Sequence, residues 1–323
     1  MLQTEALLQK NFNHIAHTDK PGFLLNVPFS LSTDVPNNSW MVDLSPDERT
    51  VNKNKAIEQF MSLYSFLARH AIVYLLPSYP DLQDQTYVAN LGIVLPHTEE
   101  KTVVISNFRS EPRRGESAIG REFFKLMKFP IIDAPSYFEG EADLKHIRDN
   151  LYIGAHGIRT SKEALDWFSE SFDMKVIPFL MQDEYLYHLD CCLFPITSEC
   201  VAVCTEIAQK ETVRELEKYV DIYDVSVDDA YSGFNNSVVL GNYVLCASDI
   251  DQLSQSDKNY QYEKSKNESL NSLCSSLGME PVFFNLSEFC KSGALLSCLV
   301  MHLNRNNYSK SIHNPHLTNV TGG

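Results

Sequence analysis

Near the end of the chain, EFCKSGALLSCLVMHLN sets Cys298 after the small residues Ser292, Gly293 and Ala294 and before the apolar run Leu299-Val300-Met301. A thiol attacks only as its thiolate, and near neutral pH that form needs a base or a cation beside it. His188, in YLYHLDCC, is a residue of the right type, and Asp190 follows it. Polar residues also interrupt three other stretches: Asp84 and Asn90 in LQDQTYVANLG, Arg113 and Arg114 in SEPRRGE, and Glu139, Glu141 and Asp143 in YFEGEADL. Singly, each has a structural reading as a turn cap, a solvated face or a core histidine. Together they have a chemical logic. Carboxylates hold a cation, arginines hold a carboxylate and a histidine-assisted thiol attacks carbon, which is the inventory for binding arginine or a relative.

These residues must be positioned by something, and the pattern is an alternation of short strands with amphipathic helices from about residue 20 to 303. GFLLNVP, AIVYLLP, LGIVLP, TVVISNF, VVLGNYVLCAS and LLSCLVMHL are apolar, β-branched runs bounded by Pro, Gly, Asn or Asp and read as strands. NKAIEQFMSLYSFLARH, GESAIGREFFKLMKF, TSKEALDWFSESF, CTEIAQKETVRELEKY and NESLNSLCSSLG carry apolar residues at helical spacing, the last ending at the stop signal Gly278. The polar stretch 251–269 reads as a surface loop entering that helix. The expected organisation is a flexible extension over 1–19, one catalytic α/β domain over 20–303 and a flexible tail over 304–323.

Bulk properties exclude several partners. A formal charge of -15 on 323 residues opposes binding to nucleic acid or an anionic membrane surface, which needs clustered Lys and Arg. No run approaches the ~20 apolar residues of a membrane span, and MLQTEALLQKNFNHIA lacks the apolar centre of a secretory signal, so a cytoplasmic setting is expected. Eight cysteines are too few for a disulfide scaffold. Cys191, Cys192, Cys200 and Cys204, with His188, invite a zinc reading. Adjacent cysteines chelate one tetrahedral ion poorly and no paired C-x2-C frame is present, so no metal or other cofactor is expected.

The order of the polar stretches resembles the guanidino-group-modifying enzymes, the superfamily of arginine deiminase, dimethylargininase, glycine amidinotransferase and arginine dihydrolase. FLLNVPFSLSTDVPNNSWM resembles an opening stretch that ends Asn-Pro-Trp-Met, here Asn38-Ser39-Trp40-Met41. DQTYVANLG resembles D-x-x-(F/Y)-x-A-N-x-G, and FEGEAD resembles F-E-G-x-G-D. HLDCCLFP resembles H-L-D-x-x-F-x-P, with Phe194 one place late, and EFCKSGALLSCL resembles E-F-x-K-x-G-G-x-x-x-C-L. The similarity spans about Phe23 to Leu303. Ser39 departs at the proline, and Ala142 and Ala294 stand where the family has glycines that permit tight backbone geometry.

The resemblance implies a pseudo-fivefold α/β propeller, the pentein fold, of ββαβ-type units with a small guanidino substrate at its centre. It implies Cys298 as nucleophile and His188 as acid and then base. Asp84 and Glu139 would receive the guanidinium, with Asp190 a further carboxylate beside His188; Glu139 is preferred to Glu141 for its F-E-G context. Arg113 and Arg159, in GIRTSKEA, would hold the amino-acid end, and Tyr87, Asn90 and Asn38 would complete the substrate contacts. Among the reactions of the superfamily, the wording is most similar to arginine dihydrolases, which carry arginine to ornithine, carbon dioxide and ammonia. Deimination or dimethylargininase chemistry stopping at citrulline, amidino transfer, and a catalytically silent arginine-binding protein are the alternatives. The amide of Asn90 bears on the choice, because it offers both a donor and an acceptor to a guanidinium and then to a ureido group.

Overall fold

Apolar, β-branched runs of three to six residues are too short for stable helices and become strands when neighbours cover their faces. In the computed structural model, which describes residues 14–305, they form five three-stranded sheets. One pattern recurs. Strand β3 (Gly92–Val94) runs antiparallel to β4 (Val103–Ile105), and helix α2 (Glu116–Leu126) returns the chain to β5 (Ile131–Asp133), parallel to β4. The same order follows in β6 (Leu144–Arg148), β7 (Leu151–His156), α3 (Lys162–Phe172) and β8 (Lys175–Leu180). It recurs in β9 (Leu193–Pro195), β10 (Cys200–Val203), α4 (Lys210–Leu216) and β11 (Asp221–Asp224). A further unit comprises β12 (Val238–Leu240), β13 (Tyr243–Ala247), α5 (Lys258–Leu277) and β14 (Glu280–Phe284).

The remaining sheet is built from both ends of the chain. Strand β1 (Gly22–Asn26) leads through α1 (Lys53–His70) to the parallel β2 (Ile72–Leu76), while its antiparallel partner is the late strand β15 (Met301–His302). Five clusters of buried side chains lie between sheets. Four join sheets that are consecutive in the chain, and the fifth joins the last to the first, with Leu245 and Phe284 against Phe23 and Phe60. Every sheet thus shares apolar packing with two others, at about 25 cal/mol for each Å² of apolar surface buried.

Some local expectations change. Residues 258–269 belong to α5, not to a loop: Asp257 caps the helix by accepting from Asn259 N at 2.8 Å, and the loop shrinks to about 251–257. Its polar composition misleads because the first turns are largely exposed, while buried Lys266 is neutralised by Glu263 at 2.7 Å. LLSCLVMHL is a single 3-10 turn, Ser297–Leu299, with a two-residue strand. VVLGNYVLCAS is a hairpin of two strands. Helix α4 is shorter than its periodic pattern. Residues 1–13 and 306–323, the bulk of the expected flexible ends, lie outside the described residues. At their inner edges Ile15 and Ala16 are buried, and the Asn304 side chain donates to Ile15 O and Lys20 O and accepts from Gly22 N. No helix among the described residues is long and apolar enough to cross a membrane.

Candidate functional site

The first strand of each unit is preceded by a tight turn, and these turns carry the chemistry. Asn90 closes the 3-10 turn Val88–Asn90 before β3; Glu139 and Asp143 flank Gly140–Ala142 before β6; His188 starts Leu189–Cys191 before β9. Asn236 lies just before β12, and Cys298 sits in Ser297–Leu299 before β15. The turn before β3 touches both the turn before β6 and the turn before β15, so residues more than two hundred positions apart converge. Close approach is possible because Gly140, at φ +67°, has no side chain: a Cβ there would lie 2.4 Å from Ala89 O. Gly293, at φ +73°, similarly makes room for the Asn38 side chain. The two alanines that depart from the family pattern take no positive φ, so they bring no strain of that kind.

His188 is held from both sides. Its Nδ1–H donates to Asp143 Oδ1 at 2.9 Å, and Nε2 lies 3.3 Å from Glu139 Oε2. Asp143 is fixed in turn by donation from Thr160 Oγ1 at 2.6 Å and from Leu189 N at 3.2 Å. Burial alone would favour neutral imidazole, but the two carboxylates outweigh it and raise His188 to about 9. For Glu139, burial is likewise opposed and outweighed, here by Arg159 and His188, and its carboxyl is held well below the usual range. The amide nitrogen of Asn90 is 3.2 Å from His188 Nε2; turned end for end, the same amide would present its oxygen there.

Cys298 is buried. Asn236 Nδ2 lies 3.5 Å from its sulfur, Asp190 Oδ2 lies 3.8 Å away, and Asn236 Oδ1 accepts from Ser297 N at 2.8 Å. Burial and the Asp190 charge push the thiol up to about 12, so the ligand-free site holds a protonated thiol at neutral pH.

Asn38, Asp84, Tyr87, Asn90, Arg113, Arg159, His188 and Cys298 line one cavity, with Asn37 and Tyr187 among the added walls. It is narrow, about 20 Å³, and Cys298 and His188 also border an adjoining cavity of about 200 Å³ lined by Trp40, Tyr185 and Tyr231. Glu139 stands behind this wall, fully buried, accepting from Arg109 N, Ser110 N and Arg159 Nη1. Glu141 faces elsewhere, accepting from His302 Nδ1 at 2.8 Å and Arg305 Nη2 at 3.0 Å.

Three sequence expectations are refined by this geometry. Asp190 does not contact His188; it accepts from Ser297 Oγ at 2.5 Å and borders the thiol, and the carboxylate on the imidazole is Asp143. Arg113 donates to Glu116 and to Tyr87 O, so much of its fork is spent inside the wall. Arg159 donates to Glu139 and, at 2.7 Å, to Asn37 O, and stacks 4.7 Å over the Tyr187 ring. Asp84 accepts from Asn37 Nδ2 and Gln83 Nε2, and burial raises its carboxyl. Asp143 and Asn236 were missed as site residues. The aspartate was signalled by the final D of F-E-G-x-G-D, whereas nothing in SGFNNS marks Asn236. Cys192 packs in one apolar cluster, and Cys200 and Cys204 in another.

The His188 shift has a consequence for stability. Its pKa is raised above the unfolded value of ~6.5, so the stabilisation is fully present below that pH and is lost as pH rises through about 9. Urea denaturation at pH 6 and pH 9.5 should show the wild type losing on the order of 2 kcal/mol more than His188→Gln across this window.

Known proteins resemble most of the chain. The chain is 25% identical over 292 residues to the bifunctional arginine dihydrolase/ornithine cyclodeaminase AgrE of Nostoc, covering 88% of this chain but only 38% of that protein. It is 23% identical to the N(G),N(G)-dimethylarginine dimethylaminohydrolase of Mycobacterium tuberculosis, over 82% of this chain and 80% of that one. In three dimensions it resembles the N-terminal domain of the cyanobacterial arginine dihydrolase ArgZ with a TM-score of 0.76 at 22% identity, covering 88% of this chain and 97% of that domain. Residues 27–304 match the family described as N,N dimethylarginine dimethylhydrolase, eukaryotic. With ordered turns converging on a thiol, an imidazole and buried carboxylates, the chain belongs to this family of hydrolases of guanidino C–N bonds.

Proposed function

We propose that the chain hydrolyses the guanidino group of arginine through a covalent adduct on Cys298, and that it carries arginine through to ornithine. The five units are read as a pseudo-fivefold propeller around this site, and the eight free thiols fit a reducing, cytoplasmic setting. The observation that carries the reading is Asn90, whose amide shares the cavity with Cys298 and lies 3.2 Å from His188 Nε2.

A guanidinium carbon is a weak electrophile because its charge is spread over three nitrogens, so alignment matters. Asp84 and Glu139 supply carboxylates on one side, with Arg159 leaving Glu139 to take the substrate carboxylate. A guanidinium seated against Cys298 brings the positive charge that the buried thiol lacks and lowers its pKa towards neutrality. The thiolate attacks carbon. His188, protonated at neutral pH, gives its proton to the departing nitrogen and ammonia leaves. Now neutral, His188 takes a proton from water, which attacks the adduct, expels the thiol and yields the ureido compound.

A carboxylate at position 90 would repel the ureido oxygen, whereas the Asn90 amide turns to donate to it. Cys298 can then attack again, releasing ornithine, and hydrolysis of the carbamoyl adduct yields carbon dioxide and the second ammonia. Over both rounds, one arginine and two waters give one ornithine, one carbon dioxide and two ammonia.

Product analysis tests the reading. Wild-type protein should form ornithine with two ammonia per arginine, and Asn90→Asp should shift the product towards citrulline by about tenfold or more in ratio, equivalent to ~1.4 kcal/mol between the two outcomes. Citrulline as the sole wild-type product, at one ammonia per arginine, would defeat the dihydrolase assignment. The family match favours a second reading, in which dimethylarginine is the substrate and dimethylamine leaves at the first step. Its mark is dimethylamine release faster than ammonia release from arginine.

A further inference from the structure

The thiol proton of Cys298 must go somewhere when sulfur attacks, and the imidazole is not its destination. His188 meets Asp143 at Nδ1 and Glu139 and Asn90 at Nε2, and none of these contacts involves the sulfur. It is also protonated at neutral pH, as its task of donating to the departing nitrogen requires. The nucleophile needs a second proton carrier.

Asn236 and Asp190 are the side chains that face the sulfur among the described residues. Asn236 Nδ2 lies 3.5 Å from it; Asn236 Oδ1, at 3.8 Å, already accepts from Ser297 N, and an amide is not a base. Asp190 Oδ2 accepts from the S–H at 3.8 Å, a long contact of the kind a ligand-free catalytic pair shows before substrate tightens it. The carboxylate is held in that posture. It is buried, Ser297 Oγ donates to the same Oδ2 at 2.5 Å, and the Cys191 thiol donates to Oδ1 at 3.8 Å. Ser297 immediately precedes Cys298, so one 3-10 turn carries both the nucleophile and the group that orients the carboxylate towards it. Tyr87, Tyr187 and Cys191, whose charges also reach the sulfur, keep their own protons because burial raises all three, and Lys145 acts on the thiol and on Asp190 from longer range. Ionising the thiol beside a charged Asp190 sets two negative charges against each other, whereas passing the proton from sulfur to Asp190 leaves the pair with one.

We propose that Asp190 is the general base for Cys298, its Oδ2 taking the S–H proton as sulfur attacks the guanidinium carbon and returning it when the thiol is expelled. In the first half the S–H bond breaks and the S–C bond forms, while His188 protonates the departing nitrogen and the C–N bond breaks. In the second half water adds to carbon and gives a proton to His188, the C–S bond breaks, and Asp190 reprotonates the sulfur. The product's surplus proton goes to solvent, and both residues end as they began. This assignment deepens the proposed function and rests on Cys298 being the nucleophile.

Two pH profiles test it between pH 6 and pH 8, below the range in which His188 deprotonates. The first is kcat/KM for arginine, read as ammonia release, which reports the free enzyme. A proton passed to Asp190 is not lost to solvent, so the wild-type value should change by less than about threefold across the window. Asp190→Asn is nearly isosteric, but its thiol must first ionise to solvent. Its kcat/KM should rise about tenfold per pH unit and lie about 10²- to 10³-fold below the wild type at pH 7. The second profile, alkylation of Cys298 by iodoacetamide, needs no guanidine and should show the same contrast in slope. A wild-type rate that rises tenfold per pH unit in both profiles would overturn the proposal. So would a flat Asp190→Asn profile, the mark of a carboxylate that only holds the guanidinium. The contrast in alkylation, seen in a protein that turns over no guanidine, would defeat the proposed function and leave the Asp190–Cys298 pair standing.

Discussion

Cys298→Ser should lose guanidine hydrolysis by on the order of 10⁴-fold or more while keeping its fold, because a serine hydroxyl is a far weaker nucleophile than a thiolate. The exchange is nearly isosteric, and the Asn236 amide that lies 3.5 Å from the sulfur remains to meet the hydroxyl. Circular dichroism and the melting temperature should therefore match the wild type. Cys191→Ser and Cys290→Ser are the controls. Cys191 also borders Asp190, at 3.8 Å, but on the opposite oxygen from Cys298 and outside the narrow catalytic cavity. Both controls should keep most of their turnover. Full activity in Cys298→Ser, measured as ammonia release, would end the covalent mechanism. Trapping a mass adduct on the wild type that is absent from the variant is the positive counterpart.

His188→Gln should remove turnover almost as completely, since one imidazole serves both halves of the reaction. It protonates the leaving nitrogen in the first and takes the proton from water in the second, so no single-turnover burst should remain. Asp143→Asn separates positioning from charge. The shape stays, but one of the two carboxylates that raise the imidazole is gone, so the His188 pKa falls. Because the protonated imidazole is the form that acts first, the alkaline limb of kcat should move to lower pH, with kcat reduced about 10²- to 10³-fold. An unmoved alkaline limb in Asp143→Asn would mean that another group sets it. A structural role for Asp143 alone would lower the melting temperature without displacing that limb.

Much of this site was written in the sequence because its chemistry depends on residue type. Cys298, His188, Glu139, Asp84 and Asn90 stood out as polar or reactive residues at the edges of apolar runs, and all but the fully buried Glu139 line one cavity. The strands that were legible, such as β1, β2 and β4, are continuous apolar runs buried on both faces or bounded by Pro and Asn. Strands such as β6, LKHIR, and β11, DIYD, were not, because polar residues break the apolar pattern, at buried and half-buried positions in β6 and at the exposed ends of β11. Helix α5 was shortened in the reading for the same reason. Its first turns are polar and held by a cap and a buried ion pair rather than by an apolar stripe.

The sequence by itself determined the kinds of group available and the order in which short strands and helices present them. Pairing among the groups was decided only in three dimensions. Asp143 follows Gly140 by three residues and Asp190 follows His188 by two, and nothing in that spacing says which one meets the imidazole. The choice follows from the turns: Asp143 ends the turn before β6 and points at the imidazole, while Asp190 lies within the turn before β9 and meets Ser297 and Cys298 instead. The same holds for Glu139 and Glu141, two residues apart on either side of Gly140 with its positive φ, of which the first meets His188 and the second His302 and Arg305. A backbone reversal of that kind is set by contacts with Ala89 and Asn90, some fifty residues away, and local residue types carry no record of such a neighbour.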